Sequence, residues 1–488
     1  MNNSIEVPLR GSPVPCAPPF MRASPSFRSR RPPLDRVPLA AALLAAAVLG
    51  ACRPPALRPA PGSNVILVCV DSLRPDHLSC YGYPRQTSPH LDRIAGEGLR
   101  FEQAVANATW TLPSITTLFT SLYPSTHGMH SYSMDLQRTR PLPAGVLTLA
   151  GFLAGRGYET AAFSDGGWVS RDFGLDRGFE RWEEGTFGIK VLVDRSLAAA
   201  SGGSGRPFFH YLHAHTVHWP YRPPPAYRSA FGIADRDYLG RDYPWLDLQK
   251  RAARGEIPPA EMAQIVRQYD AGIAYADAQI GRLREGLRER GIAGKTLLVV
   301  FADHGEQFLE HGQVYHGQLN DEIGPNRKTC YEETVRIPLI MAGPGVAEGA
   351  VAGGQVALID LFPTLAGYLG FDLPPGVCQG RSWFAPREKG WDLVEDNLNE
   401  IAALRSPEWK LIVDRREGRA ELYDLKSDPG EKADLSASRA DEVKRIMAVH
   451  EERERENRAR GDRLAPAPGP SEVSPGVRDQ LKALGYLQ

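Results

Sequence analysis

Two apolar runs in this chain end in residues of the types that can bind metal. Asp71 follows Asn64–Val70 (NVILVCV) directly, and Asp303-His304 stand just beyond Thr296–Phe301 (TLLVVF). Two carboxylates and an imidazole brought to neighbouring strand ends can share one divalent cation. That donor set suits Zn²⁺ or Mn²⁺, and Ca²⁺ less well because of the histidine. Either aspartate alone would read as a turn cap; the combination points to a metal. A third stretch, Thr111-Leu112-Pro113-Ser114-Ile115, supplies a nucleophile. Pro113 suits the first residue of a helix, which places Thr111 just ahead of the N-terminus, where free N–H groups and the helix dipole favour an anion. A hydroxyl there, beside a divalent cation, can ionise and attack phosphorus or sulfur. Its competing role is a plain helix cap.

Histidines cluster around the same stretches. Eleven of the 12 lie between His77 and His316, and four fall in His210–His218, which directs the search for chemistry to the first two thirds of the chain. His218 and His316 are candidates to protonate a leaving group, and His213, His215 and Ser114 to contact substrate. His127, in a Ser-Thr-His-Gly turn, reads as structural.

These residues need a scaffold that gathers strand ends. The continuous, β-branched character of Asn64–Val70, Arg206–Leu212, Thr296–Phe301 and Ile337–Ala342 predicts strands buried on both faces. Helical patterns lie between them, clearest from Pro259 to Arg290. Alternation of this kind predicts an α/β fold: a large, mostly parallel sheet sandwiched by helices, with ligands beyond the carboxyl ends of the strands. The catalytic domain is expected over 64–370. A small antiparallel β subdomain follows over 371–436, where Trp409–Val413 and Ala420–Tyr423 read as a hairpin. A helical, partly flexible tail is expected over 437–488, with Arg439–Arg460 a solvated helix.

The 488 residues give roughly three domains' worth of chain. With 42% hydrophobic and 24% charged residues, wholesale disorder is excluded. Lys+Arg 57 against Asp+Glu 58 leaves a net charge of −1, which argues against a nucleic-acid partner held by a broad basic surface. A small anionic substrate is compatible with that balance.

Residues 64–436 resemble the sulfatase family of the alkaline phosphatase superfamily. The likeness is carried, in the family's order, by VDSLRPDHLSCYGY (70–83), TLPSITTLFTSLYPSTHG (111–128), FFHYLHAHTVHWPY (208–221) and VFADHGEQFLEHG (300–312), and continues through ETVRIPLIMAGPG (333–345), DLFPTLAGYLG (360–370) and ELYDLKSDPGEKADL (421–435). The resemblance implies one metal on Asp71, Asp303 and His304, with the nucleophile at Thr111 beside it. His218 matches the family histidine at its place.

The chain departs from that pattern in ways that matter. Family sulfatases carry Cys-x-Pro-Ser-Arg, whose cysteine becomes formylglycine; here Thr111 stands for the cysteine and Ile115 for the arginine, so no formylglycine can form. Ser72 replaces a second aspartate, and fewer anionic ligands favour a transition metal over Ca²⁺. A formylglycine hydrate expels sulfate by collapsing to the aldehyde. A threonine ester has no such route and must be cleaved by water or an acceptor alcohol, which tilts the expectation towards phosphorus. Asp270 has Ala274 four residues on, not a histidine, so one metal is expected. Ser164-Asp165-Gly166-Gly167-Trp168 lies where the family's Lys-x-His segment should be and is expected to shape the pocket.

The first 52 residues read as an address. Leu39–Ala51 is apolar for thirteen residues, too short to span a bilayer, with Arg28, Arg30 and Arg31 ahead of it. Leu49-Gly50-Ala51-Cys52 resembles a bacterial lipobox, so the expectation is an exported, periplasmic or cell-envelope lipoprotein held to a membrane by a lipid on Cys52. Met21 is an alternative start. Residues 53–63 read as a Pro-stiffened tether. An oxidising compartment leaves room for a Cys330–Cys378 disulfide, and the insertion Gln318–Lys328 for a lid. The first functional reading is a metal-dependent hydrolase of sulfate, phosphate or phosphonate esters. The alternatives are a phosphoethanolamine- or phosphoglycerol-type transferase acting on the envelope, and an inactive binding protein of the same fold. The oligomeric state is not legible.

Overall fold

The computed structural model describes residues 56–129, 140–200, 205–235, 238–239, 245–316, 329–385, 390–396, 400–464, 469, 473–484 and 486. The expected signal peptide, lipobox and Gln318–Lys328 insertion lie outside them.

Thirteen strands are described, in two sheets. The strands are β1 Asn64–Val70, β2 Leu99–Val105, β3 Glu159–Ser164, β4 Arg181–Glu184, β5 Phe208–Ala214, β6 Thr296–Phe301, β7 Arg336–Ile337, β8 Leu339–Ala342, β9 Ala350–Ala357, β10 Asp392–Asp396, β11 Ile401–Arg405, β12 Trp409–Asp414 and β13 Arg419–Asp424. The helices that matter here are α1 Pro89–Gly96, α2 Thr111–Thr120, α3 Pro259–Glu289, α4 Ala440–Gly461 and α5 Pro475–Ala483.

The main sheet runs β4-β3-β5-β1-β6-β8-β2-β7, with β9 beside β2. Strands β4, β3, β5, β1 and β6 are parallel to one another, as continuous apolar runs covered by helices require. β8 runs antiparallel between β6 and β2, so the sheet is mixed on that side. In the central trio Val65 faces Phe209 on one side and Leu297 on the other. That register brings the carboxyl ends of β5, β1 and β6 side by side, and Asp71 N donates to Ala214 O at 3.0 Å.

The second sheet is antiparallel, β10-β11-β12-β13, and contains the expected hairpin as β12 and β13. It joins the main body where Glu395 N donates to Asn107 O and Asn107 Nδ2 to Leu393 O. The expected solvated surface helix, α4, buries Ile446, His450 and Asn457 on its inner face; Gln379 Nε2 donates to Asn457 Oδ1 at 2.7 Å. Of the expected Pro-stiffened tether over 53–63, residues 56–63 lie against the body: Leu57 is buried, Arg58 N donates to Gly345 O and Ala60 N to Tyr368 O. Cys69, Cys80, Cys330 and Cys378 are free thiols, so the Cys330–Cys378 pairing is not made. Among the described residues no helix is long and apolar enough to cross a membrane.

Candidate active site

The carboxyl edge of the central strands positions nearly every residue singled out above. β1 delivers Asp71, β5 carries His213 and leads to His215, and β6 leads to Asp303 and His304. Asp71, Asp303 and His304 are fully buried, with ligand atoms within 4.8 Å of one another. Ser72, next to Asp71, has a left-handed φ of 62°, a costly conformation for a serine. Three bonds hold it there: Tyr269 OH donates to its carbonyl at 2.7 Å, its hydroxyl donates to Asp71 Oδ1 at 2.8 Å, and its N–H donates to Asp303 Oδ1 at 3.4 Å.

α2 begins at Thr111, not at Pro113, because Trp110 is extended (φ −153°, ψ 166°) and serves as N-cap with no side-chain cap bond. Thr111 is therefore the first helical residue and does not cap. Its Oγ1 lies 3.4 Å from Asp71 Oδ2 and 3.2 Å from His304 Nε2, inside the cluster. Ser114 points elsewhere. Its buried hydroxyl donates to the carbonyl of Asp303 at 2.6 Å, so it ties helix to loop where a substrate contact was expected.

The histidines form the remaining wall. His213 Nε2 is 3.2 Å and His215 Nε2 3.6 Å from Asp71 Oδ2. His316 stands on the other side, its ring 4.0 Å from that of His304 and its Nδ1 3.0 Å from Glu306 Oε1. His218 Nδ1 bonds the Trp219 carbonyl, and its ring lies 4.9 Å from His316. Two further potential ligand triplets share Asp71, one with His213 and His215 and one with His218 and His316. His127 bonds the Thr117 hydroxyl of α2 and accepts the N–H of Met129, and Asp270 engages His77, Tyr83 and Arg85.

Burial alone would raise the Asp71 carboxyl; His218, His213, His304 and His215 overcome it and hold it well below the usual range. Burial, then the charge of Asp71, raises Asp303. Burial lowers His215, His218 and His316, while Asp71 keeps His213 above its ordinary value against burial. Asp303 Oδ2 is buried and has no hydrogen-bond partner among the described residues. Such an orphaned carboxylate oxygen is costly, and a cation shared with Asp71 and His304 would satisfy it. The residues present fit a divalent metal.

Other residues of the site were given no individual role beforehand. Glu306, two residues past His304, orients His316, and Tyr221 OH donates to its Oε2 at 3.0 Å. Asp165, from the segment expected to shape the pocket, accepts the N–H groups of His215, Gly188 and Phe187, and burial pushes its carboxyl up to about 6. Tyr486 comes from the tail: its hydroxyl lies 2.9 Å from His316 Nε2 and 3.2 Å from His218 Nε2.

A mostly parallel sheet with its reactive groups gathered at this edge is the architecture of the alkaline phosphatase superfamily. A family model described as Sulfatase matches residues 63–371. The chain belongs to the sulfatase family, a metal-dependent family of ester hydrolases. It is 26% identical over 442 residues to arylsulfatase K of Bos taurus, covering 77% of this chain and 78% of that one. It is 24% identical over 401 residues to iduronate 2-sulfatase of Homo sapiens, covering 64% and 70%. The phosphonate monoester hydrolase of Silicibacter pomeroyi shares the fold, with a TM-score of 0.65 at 19% identity, over 84% of this chain and all of that one.

Proposed function

We propose that the chain cleaves small anionic esters through a covalent intermediate on Thr111, with phosphorus esters as the favoured class. One observation carries the reading: the Thr111 hydroxyl lies within 3.4 Å of both Asp71 and His304, two of the three residues that would hold the cation. A divalent cation on Asp71, Asp303 and His304, Zn²⁺ or Mn²⁺ before Ca²⁺, would supply Lewis acidity to the nucleophile and to a substrate oxygen. Thr111 Oγ forms a bond to phosphorus or sulfur as the ester oxygen leaves. The Thr111 proton passes to the side of His218 and His316, whose imidazoles burial keeps towards the neutral form, and from there to the departing oxygen. Water then attacks the same centre, and Thr111 departs as the hydroxyl.

The named relatives include both sulfatases and phosphonate monoester hydrolases, so both ester classes are live. The chemistry of threonine, which cannot release its ester by collapsing to an aldehyde, supports phosphorus. The lipobox-like Leu49–Cys52 supports export and a lipid anchor. The test compares aryl sulfate, phosphate mono- and diesters and phosphonate monoesters on metal-loaded, signal-free protein. Phosphorus esters are expected to dominate, and Thr111→Ala is expected to lose at least about 10³-fold in kcat while still folding and binding metal. Dominant sulfate turnover would overturn the preference for phosphorus; undiminished activity of Thr111→Ala would overturn the covalent mechanism.

A further inference from the structure

The tail of the chain is bound to the active-site rim at successive points. Ser474 N, at the start of α5, donates to Asp172 Oδ2 at 2.8 Å. Gly167 N donates to Gln480 Oε1 at 2.8 Å, and Tyr315 OH to the Leu484 carbonyl at 3.2 Å. Leu481 is fully buried between these points. The two glycines of Ser164–Trp168 take left-handed φ values of 81° and 63°. A Cβ on Gly166 would stand 2.2 Å from Gln480 Oε1, and one on Gly167 2.9 Å from Leu484 Cδ1. The Gly-Gly pair thus serves the close approach of α5.

Beyond α5, Tyr486 is 5% exposed, its ring edge-on to Trp168 at 5.5 Å and its hydroxyl between the Nε2 atoms of His316 and His218. α5 is also one wall of a cavity of about 200 Å³, lined by His215, His218, Trp219, Gln480 and Leu484 among others. A phenol has one proton, so its bond to one imidazole can be exchanged for a bond to another acceptor, and the Tyr486 hydroxyl is also within hydrogen-bond reach of Thr111. An anionic ester held at Thr111 presents oxygens that need donors.

We propose that Tyr486, delivered by α5 across the Gly166-Gly167 seat, is a substrate-contacting residue whose hydroxyl donates a hydrogen bond to an oxygen of the bound ester. This rests on the ester-cleaving reading of the site. The test is Tyr486→Phe in the full-length, metal-loaded protein, which keeps the ring and removes only the hydroxyl. KM for the best ester and the inhibition constants of inorganic phosphate and sulfate are expected to rise about tenfold, the size of one hydrogen bond to a charged group. The change in kcat should be smaller and the near-UV circular dichroism unchanged. Leu481→Glu, which loosens α5 without touching the site, should raise KM in the same direction.

Unchanged or improved kinetics in Tyr486→Phe, with Thr111→Ala inactive, would overturn this inference alone. If the wild-type chain turned over no ester, the hydrolase reading would fail separately. Thermal protection by phosphate or sulfate would then still decide about Tyr486. A tenfold higher half-protecting concentration in Tyr486→Phe would support it. Equal protection, or none in the wild type, would overturn it.

Discussion

The hydroxyl of Ser114 and the carbonyl of Asp303 are joined by a 2.6 Å hydrogen bond, which fastens α2 to the loop after β6. The bond ties the helix of Thr111, the proposed nucleophile, to Asp303, a proposed metal ligand, although 192 positions separate the two. Ser114→Ala leaves a buried carbonyl without this donor, at a cost of about 1–3 kcal/mol in stability. The larger effect should fall on catalysis, because a displacement of about 1 Å in a reacting group costs on the order of 10²-fold. Steady-state kinetics beside urea unfolding separate the two effects. A full kcat with only a stability loss would show that the bond does not set the position of Thr111.

Metal removal should be visible without any substrate. A ligand present at 100 times its Kd adds about 2.7 kcal/mol to the folded state, so chelation should lower the melting temperature and Zn²⁺ or Mn²⁺ should restore it. Asp303→Asn keeps the shape but removes a charge from the ligand set, and should abolish the metal-dependent part of the shift. Calorimetric melting of both proteins, chelated and reloaded, provides the check. An equal metal response in the variant would place the cation elsewhere, for example on Asp71 with His218 and His316.

The strand ends could be read in advance because their signals are local. A continuous β-branched run followed at once by Asp71, or by Asp303-His304, specifies both a buried parallel strand and what its carboxyl end presents. Thr111 was legible for a similar reason, since Pro113 marks the start of a helix, although the extended Trp110 moves that start two residues earlier. Ser114 was misread because a hydroxyl's partner depends on what the fold packs above it; only the tertiary approach of the Asp303 carbonyl turns it away from substrate. Tyr486 left no local trace, standing 170 positions beyond His316 in a segment that read as tail. The Gly166-Gly167 pair that seats its helix is visible in the sequence, but nothing there says what the glycines make room for.

Asp277 offers a test of the scaffold away from the site. It sits in the interior of α3 and caps α1 from outside: Oδ1 accepts Leu91 N at 2.7 Å and Oδ2 accepts His90 N at 3.0 Å. Burial outweighs these two bonds and raises its carboxyl from 3.8 to about 7. Because the folded state holds this proton more tightly than the unfolded chain, the stability it contributes is complete below about pH 4 and declines as the pH rises towards 7. A shift of that size corresponds to at most about 4 kcal/mol across the interval. Asp277→Asn keeps an acceptor for one of the two N–H groups and has no proton to lose, so its stability should change less between pH 4 and 7. Urea unfolding of both chains at half-unit pH steps isolates the effect, since every other titrating group is common to both. Parallel curves would mean that Asp277 is ionised in the folded protein throughout, with its charge carried by the amino end of α1.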